Sequence, residues 1–347
     1  MPAKKIFNIV SGNPSGALNV AMSISKFLKN TGYTVTDIFR KYNNTTLENI
    51  TVVNDKFTLD YILSLSRLIR LEHPDLIIVH GYSTHIWTKL ALAHSKMDIK
   101  LIHVEHNTEK YTPLRRWLTK ILDKYTTKYI CVSHTVADHL IQQDIDKNKV
   151  MVIYNGIEIN NFTHLQTAAH AVFTLGMVAR FTRQKDQLTL IKAVEYLIKE
   201  KNEVLHLVLM GDGKTKHSCQ SYVKEHNLAD NIFFTTGRFA DLIPKIDAFV
   251  LSTHYEGQGL VICEAMAAKL PVIFTDIPAA RELLTDGCDG LLFSPGDYKK
   301  LAHCILQIKY KQIDVHALIA NGYATVCQRF TASQMLDNYL SVIQKLC

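Results

Sequence analysis

Two acids, two glycines and a helix start converge in Tyr255-Glu256-Gly257-Gln258-Gly259-Leu260-Val261-Ile262-Cys263-Glu264-Ala265-Met266-Ala267, which follows the apolar run Ala248–Leu251. Glycines at a helix start let the backbone come close to a ligand, and the free amides of a first turn suit a phosphate. The two carboxylates flank that turn with seven residues between them. Glu264 lies about one helical turn past Leu260, so it can point back to the same loop. Phosphate repels carboxylate, so the acids are expected to serve hydroxyl groups of a ribose or a sugar. A capped helix carrying an ordinary exposed Glu would need only one of these features.

A second cluster sits in Gly176-Met177-Val178-Ala179-Arg180-Phe181-Thr182-Arg183-Gln184-Lys185-Asp186. Arg180 and Lys185 are two cations placed after a strand, able to neutralise a departing diphosphate as its charge develops. Alone they would read as a surface pair. Gly211-Asp212-Gly213 is by itself only a tight turn, as Asn155-Gly156 is. Gly237-Arg238-Phe239 follows another apolar run, and Phe239 is open to a plain core role. In the front half, Ser11-Gly12-Asn13-Pro14-Ser15-Gly16 follows the first apolar run, and His103-Val104-Glu105-His106-Asn107 ends another. His103 and His106 lack Cys or carboxylate companions at metal-ligand spacing.

Lys110, Arg115, Arg116, Lys120, Lys124 and Lys128 interleave with Tyr111, Leu114, Trp117, Leu118, Ile121, Leu122 and Tyr125. Two readings stay open for this amphipathic helix with a basic edge. It packs on a sheet with its charges solvated, or it lies on an anionic membrane surface.

The elements that must position these residues come from alternation. Strands are predicted at Ile6–Val10, Thr34–Phe39, Leu76–Val79, Leu101–Glu105, Tyr129–Val132 and Met151–Ile153. The second half continues with Phe173–Val178, Leu205–Met210, Ile232–Thr235, Ala248–Leu251, Pro271–Phe274 and Gly290–Phe293. Helical periodicity marks Asn19–Asn30, Asp60–Glu72, Leu114–Lys124, Gln187–Lys199, Leu260–Ala268 and Tyr298–Lys309. Such alternation implies parallel sheets with helices on both faces. Ligands then bind beyond the carboxyl ends of the strands, and with two domains the natural site is the cleft between them.

At about 150 residues per domain, 347 residues make two domains. The charged fraction of 20% excludes disorder, collagen and coiled coil. Residues 1–165 hold 20 basic and 14 acidic side chains against 19 and 18 in residues 166–347. That bias points to an anionic partner on the front side. Seven cysteines without a Cys-x-x-Cys pair fit a reducing compartment. No apolar run nears the ~18 residues of a membrane span, and Met1–Val10 is too short in apolar residues for a signal peptide. A cytoplasmic protein is expected.

The Glu256–Ala267 segment resembles the signature of the retaining GT-B glycosyltransferases of family 4, with Gln258 where Phe is common. Gly176–Asp186 is similar to that family's G-R-L-x-x-x-K-G element, with Asp186 in place of Gly. Gly211–Gly213, Gly237–Phe239, Tyr154–Ile157 and Ser11–Gly16 match further family elements in the same order. His106 matches the active-site His best, with His103 its competitor. The resemblance implies two Rossmann-like domains whose parallel sheets face across a cleft: residues 1–165 on the acceptor side and 166–329 for the donor. The helix near 330–347 is expected to return to the first domain.

It implies sugar transfer from a UDP- or GDP-sugar to a glycan or lipid-linked hydroxyl, without a metal or other cofactor. Cell-surface polysaccharide or lipopolysaccharide synthesis is the expected setting, with peripheral contact on the inner face of the plasma membrane. His106 and Glu256 would serve the transferred sugar. Gly16, Arg180, Lys185, Gly211, Arg238, Phe239, Gly257, Gln258, Gly259, Leu260, Val261 and Glu264 would serve the donor. Arg115, Arg116 and Lys120 lie on the acceptor or membrane side. Rival readings are a nucleotide-sugar epimerase or phosphorylase on the same fold and a non-catalytic nucleotide-sugar scaffold. The paired acids with Arg180 and Lys185 argue against both. A dinucleotide-dependent dehydrogenase would need a third glycine after Gly213. Nucleic acid is not expected, since no nucleic-acid module is present.

Overall fold

The computed structural model describes residues 3–12, 15–40, 50–53, 57–108, 111–165 and 170–347. Asn13 and Pro14 of the first loop, Lys110 of the basic stretch and residues 166–169 lie outside them. Residues 1–155 with 333–347 form one compact unit, and residues 156–332 form a second.

Among the described residues the first unit holds seven strands: β1 (Lys5–Val10), β2 (Thr34–Phe39), β3 (Ile50–Val52), β4 (Leu76–His80), β5 (Lys100–Glu105), β6 (Lys128–Cys131) and β7 (Val150–Val152). Their order is β3-β2-β1-β4-β5-β6-β7, every pair parallel. All five positions of β4 are buried, as an apolar run covered on both faces requires. Strand β3 has no counterpart in the sequence reading, because three residues at a sheet edge are too few to show a period.

The helix predicted over Asn19–Asn30 begins earlier, at Gly16, because Ser15 caps it by accepting the Leu18 N–H at 3.2 Å. Leu18, Val20, Ala21, Ile24, Ser25 and Leu28 bury one face against the sheet. The helix predicted over Leu114–Lys124 runs Pro113–Ile121 and tightens into a 3₁₀ turn over Leu122–Tyr125. Its apolar stripe faces outward: Leu114, Trp117 and Ile121 are 65%, 57% and 49% exposed. The terminal helix Ala332–Leu346 belongs to this unit from Ser333 onward.

The second unit holds β8 (Thr174–Val178), β9 (His206–Met210), β10 (Ile232–Thr235), β11 (Ala248–Leu251), β12 (Val272–Thr275) and β13 (Leu291–Phe293). The order is β10-β9-β8-β11-β12-β13, again all parallel. Both sheets reverse their strand order once, between β1 and β4 and between β8 and β11. Such a switch point opens a crevice beyond the strand ends. Where the chain enters and leaves the second unit, Ile157 bridges Thr331. A Cβ on Gly156 would lie 2.1 Å from the Thr331 carbonyl oxygen, so only glycine fits there. Among the described residues no helix is long and apolar enough to cross a membrane.

Candidate active site

The switch point of the second unit puts the loops after β8 and β11 side by side, and the two strongest sequence clusters meet there. Lys185 Nζ bonds Glu256 Oε1 in an ion pair whose side chains are only 17% and 9% exposed. The loops are also tied through main chain. Gln184 Nε2 donates to the Tyr255 carbonyl at 2.8 Å, and the His254 N–H and Thr253 hydroxyl donate to the Gln184 carbonyl at 2.8 and 3.0 Å. Ser252 Oγ donates to the Asp186 carbonyl at 2.9 Å. Gln184, Ser252 and Thr253 left no mark in the sequence reading, since polar residues in loops are commonplace. Asp186 stands at φ 43° and caps the helix Gln187–Lys201, accepting from the Thr189 hydroxyl at 2.6 Å. A left-handed position explains why Gly is usual here and why Asp, which tolerates that conformation, can replace it.

Arg180 is exposed, and among the described residues its side chain has no partner. Its main chain is held instead: Gln187 Nε2 donates to its carbonyl at 3.0 Å, and Phe181 N–H donates to the Asp212 carbonyl at 2.8 Å. Gly211 and Gly213 make this possible. Their φ values are +146° and +145°, and added Cβ atoms would lie 2.1 Å from Ala179 O and 2.4 Å from Phe181 O. The Gly-x-Gly turn therefore props the Arg180 loop by backbone contact.

Gly259, at φ 87°, starts the helix Leu260–Ala267, and the Ile262 N–H already returns to its carbonyl at 2.9 Å. The N–H groups of Leu260 and Val261 have no acceptor within the helix, as the first turn of any helix leaves its amides. Gly257 and Gln258 are buried beneath this turn. Glu264, half-buried, has no bonded partner among the described residues, and burial raises its carboxyl from 4.5 to about 7. An unpaired shielded carboxyl one turn into this helix is suited to accept hydroxyl hydrogens. Arg238 is fully outside the core and pairs with Asp241 at 3.2 Å. The Phe239 ring is buried, edge-on to Phe249 with centroids 5.1 Å apart, and its carbonyl accepts from the Ile243 N–H.

In the first unit, Gly16 opens the helix after β1, and among the described residues nothing lies within 4 Å of where a Cβ would go. At the end of β5, His103 is sealed at 0% exposure and stacked on His85 at 3.6 Å. His106 is half-buried and reachable. Its Nε2 lies 3.1 Å from Nδ1 of His80, a residue the sequence reading passed over. Burial lowers His106 to about 4, against the pull of Glu105. Glu105 is itself below the usual carboxylate range: burial raises it, but His103, His106 and the Tyr111 hydroxyl at 3.1 Å outweigh that. Deeper still, Lys89 donates to the Tyr129 hydroxyl at 3.1 Å, and burial brings it down to about 7. Of the basic helix, Arg115 lies over the Tyr82 ring at 5.0 Å, Arg116 pairs with Asp144 at 2.8 Å, and Lys120 is exposed.

Comparison with known proteins covers nearly the whole chain. The family described as Glycosyl transferases group 1 matches residues 166–325, and Glycosyltransferase Family 4 matches residues 14–161. The chain is 26% identical over 286 residues to the Escherichia coli enzyme UDP-Gal:alpha-D-GlcNAc-diphosphoundecaprenol alpha-1,3-galactosyltransferase, spanning 76% of this chain and 73% of that one. It is 28% identical over 279 residues to an uncharacterized glycosyltransferase of Methanocaldococcus jannaschii, spanning 77% and 76%. In fold it matches Anabaena HepE, solved in complex with UDP, with a TM-score of 0.84 at 19% identity over 99% of this chain and 100% of that one.

Proposed function

This chain belongs to the family 4, group 1 glycosyltransferases, whose two parts match its two halves, and from that premise we propose that it is a retaining, metal-independent transferase using a UDP- or GDP-sugar. The observation that carries the reading is the convergence at the β8–β11 switch point. There the loop after β8 carries Arg180 and Lys185, the loop after β11 carries Glu256 paired to Lys185, and the helix that follows starts with Leu260 and Val261 and bears Glu264.

Arg180, Lys185 and the amides of Leu260 and Val261 take the diphosphate, and their fixed positive ends stabilise it as it leaves. Lys185 is then shared between Glu256 and phosphate, and Glu256 holds hydroxyls of the transferred sugar. Glu264 accepts from the ribose, and His106 meets a sugar hydroxyl. In the transfer, the bond from the anomeric carbon to the diphosphate oxygen breaks. A bond to the acceptor oxygen forms on the same face, and the acceptor's proton passes to the leaving phosphate. No protein base is required for that proton.

The acceptor we propose is a glycan or lipid-linked hydroxyl, the second consistent with the diphosphoundecaprenol named for the E. coli relative. The outward stripe Leu114, Trp117 and Ile121 with Arg115 and Lys120 then meets an anionic bilayer. The deciding experiment offers a panel of nucleotide sugars with and without a diphosphate-lipid-linked sugar. Nucleoside diphosphate release that depends on acceptor, with an unchanged anomeric configuration by NMR, supports the reading. Acceptor-independent release would refute the transfer reading, and isomerised donor would replace it with the epimerase alternative.

A further inference from the structure

Four neighbouring strands of the first unit each supply one polar residue to a hydrogen-bonded row: Asp37 on β2, Asn8 on β1, His80 ending β4 and His106 just past β5. Asn8 sets the direction of every bond in it. Its amide nitrogen donates to the Ala21 carbonyl at 3.0 Å and to Asp37 Oδ1 at 2.8 Å, which leaves Oδ1 facing His80 Nε2 at 3.1 Å. The flipped amide would set its oxygen against a carbonyl and a carboxylate, neither of which has a hydrogen to give. His80 Nε2 therefore carries a proton and donates.

The far end of the row is anchored, since Ser25 Oγ and Lys29 Nζ both donate to Asp37 Oδ2, at 2.8 and 2.7 Å. His80 is 2% exposed, and burial, reinforced by His106 and His103, holds it well below the ordinary histidine range. It is neutral, so its Nδ1 is a bare lone pair. The 3.1 Å contact with His106 then requires His106 Nε2 to be the donor. Among the described residues, nothing bonds the other nitrogen of His106.

We propose that this row is a tautomer lock, in which His80 acts as a positioning residue that keeps the His106 proton on Nε2 and presents Nδ1 as an acceptor for a substrate hydroxyl. A free imidazole divides between two neutral tautomers, and only one of them can accept at Nδ1. The lock removes that division before substrate arrives. Its kinetic consequence rests on the proposed contact of His106 with the transferred sugar; the tautomer itself does not.

The test uses the full chain with ¹⁵N-labelled histidine, with the His106 signals assigned by their loss in His106→Gln. Long-range ¹H–¹⁵N spectra of the unsubstituted protein are expected to show Nε2 protonated and Nδ1 bare. A proton on Nδ1 would overturn the proposal without any variant at His80. In His80→Leu the two tautomers should mix and kcat/KM fall about tenfold, the scale of one ordered hydrogen bond. His80→Gln keeps an acceptor and a donor in one side chain and should restore the tautomer and most of the rate. His80→Leu with the wild-type tautomer would also overturn the lock. If the spectra behave as stated while His106→Gln keeps full activity, the lock stands and the contact of His106 with the sugar falls.

Discussion

Glu264→Gln should make this protein more stable above neutral pH and a poorer binder of its nucleotide. Burial raises the Glu264 carboxyl from 4.5 to about 7, so the folded chain holds that proton more tightly than the unfolded chain does. Stability then falls as pH rises between 4.5 and about 7 and is level above. Each tenfold difference in proton affinity between the folded and unfolded chain is worth about 1.36 kcal/mol, so the loss is about 3 kcal/mol. The neutral amide of Gln does not ionise and escapes it. The variant should match the unsubstituted protein near pH 4 and exceed it by about 3 kcal/mol at pH 8.

Both tryptophans, Trp87 and Trp117, belong to the first unit, whereas Glu264 belongs to the second. Hydrogen exchange of the β11 and β12 amides across pH 4–8 reads the change in stability directly. Binding should move the opposite way. An ionised acceptor for ribose hydroxyls is worth about 1.5–3 kcal/mol, so UDP or GDP affinity by calorimetry at pH 8 should drop roughly ten- to a hundredfold. Exchange profiles of the two proteins that run parallel across pH would refute the burial argument. Unchanged nucleotide affinity would remove Glu264 from the ribose.

Arg180→Ala should lower kcat/KM about 10²–10³-fold, as loss of one fixed donor to a developing anion does. Its melting temperature should hardly move, since the side chain is exposed and unpaired among the described residues. Glu256→Ala strands the shielded Lys185 charge and should destabilise the second unit by about 3–5 kcal/mol in calorimetry. Adding Lys185→Ala should recover part of that stability and no activity. Gly211→Ala drives a Cβ onto the Ala179 carbonyl and should cost about 1–3 kcal/mol, with weaker nucleotide binding because the Arg180 loop shifts. Transfer rates should be the same in EDTA and in added Mg²⁺. Trp117→Ser should weaken flotation with phosphatidylglycerol vesicles and leave phosphatidylcholine behaviour unchanged, which an equal loss on both lipids would contradict.

Much of this site was legible because its signals are local. A glycine turn before an apolar helix, acids bracketing it, and cations after a strand are patterns of adjacent residues. The helix Leu260–Ala267 begins and ends within a residue of its predicted span for that reason. The short edge strand β3 and the Ser15 cap lie below what periodicity can resolve. Without the resemblance, Gly211 and Gly213 read only as a turn, since the carbonyls they accommodate belong to a loop about thirty residues earlier.

Residue types and their period alone determined that this chain builds parallel sheets and which strand-to-helix loops carry charge, because burial alternation and turn chemistry are written within a few residues. Strand order is different. It put β8 beside β11, and so joined Lys185 to Glu256 across 71 positions of sequence. It also aligned Asp37, Asn8 and His80 on three adjacent strands with His106 just past the end of the fourth. Those bonds, the sealing of His103 while His106 stays half-buried, and the raised carboxyl of Glu264 depend on what surrounds each group in three dimensions. No local pattern encodes them, because burial and hydrogen bonding are properties of the packed neighbourhood.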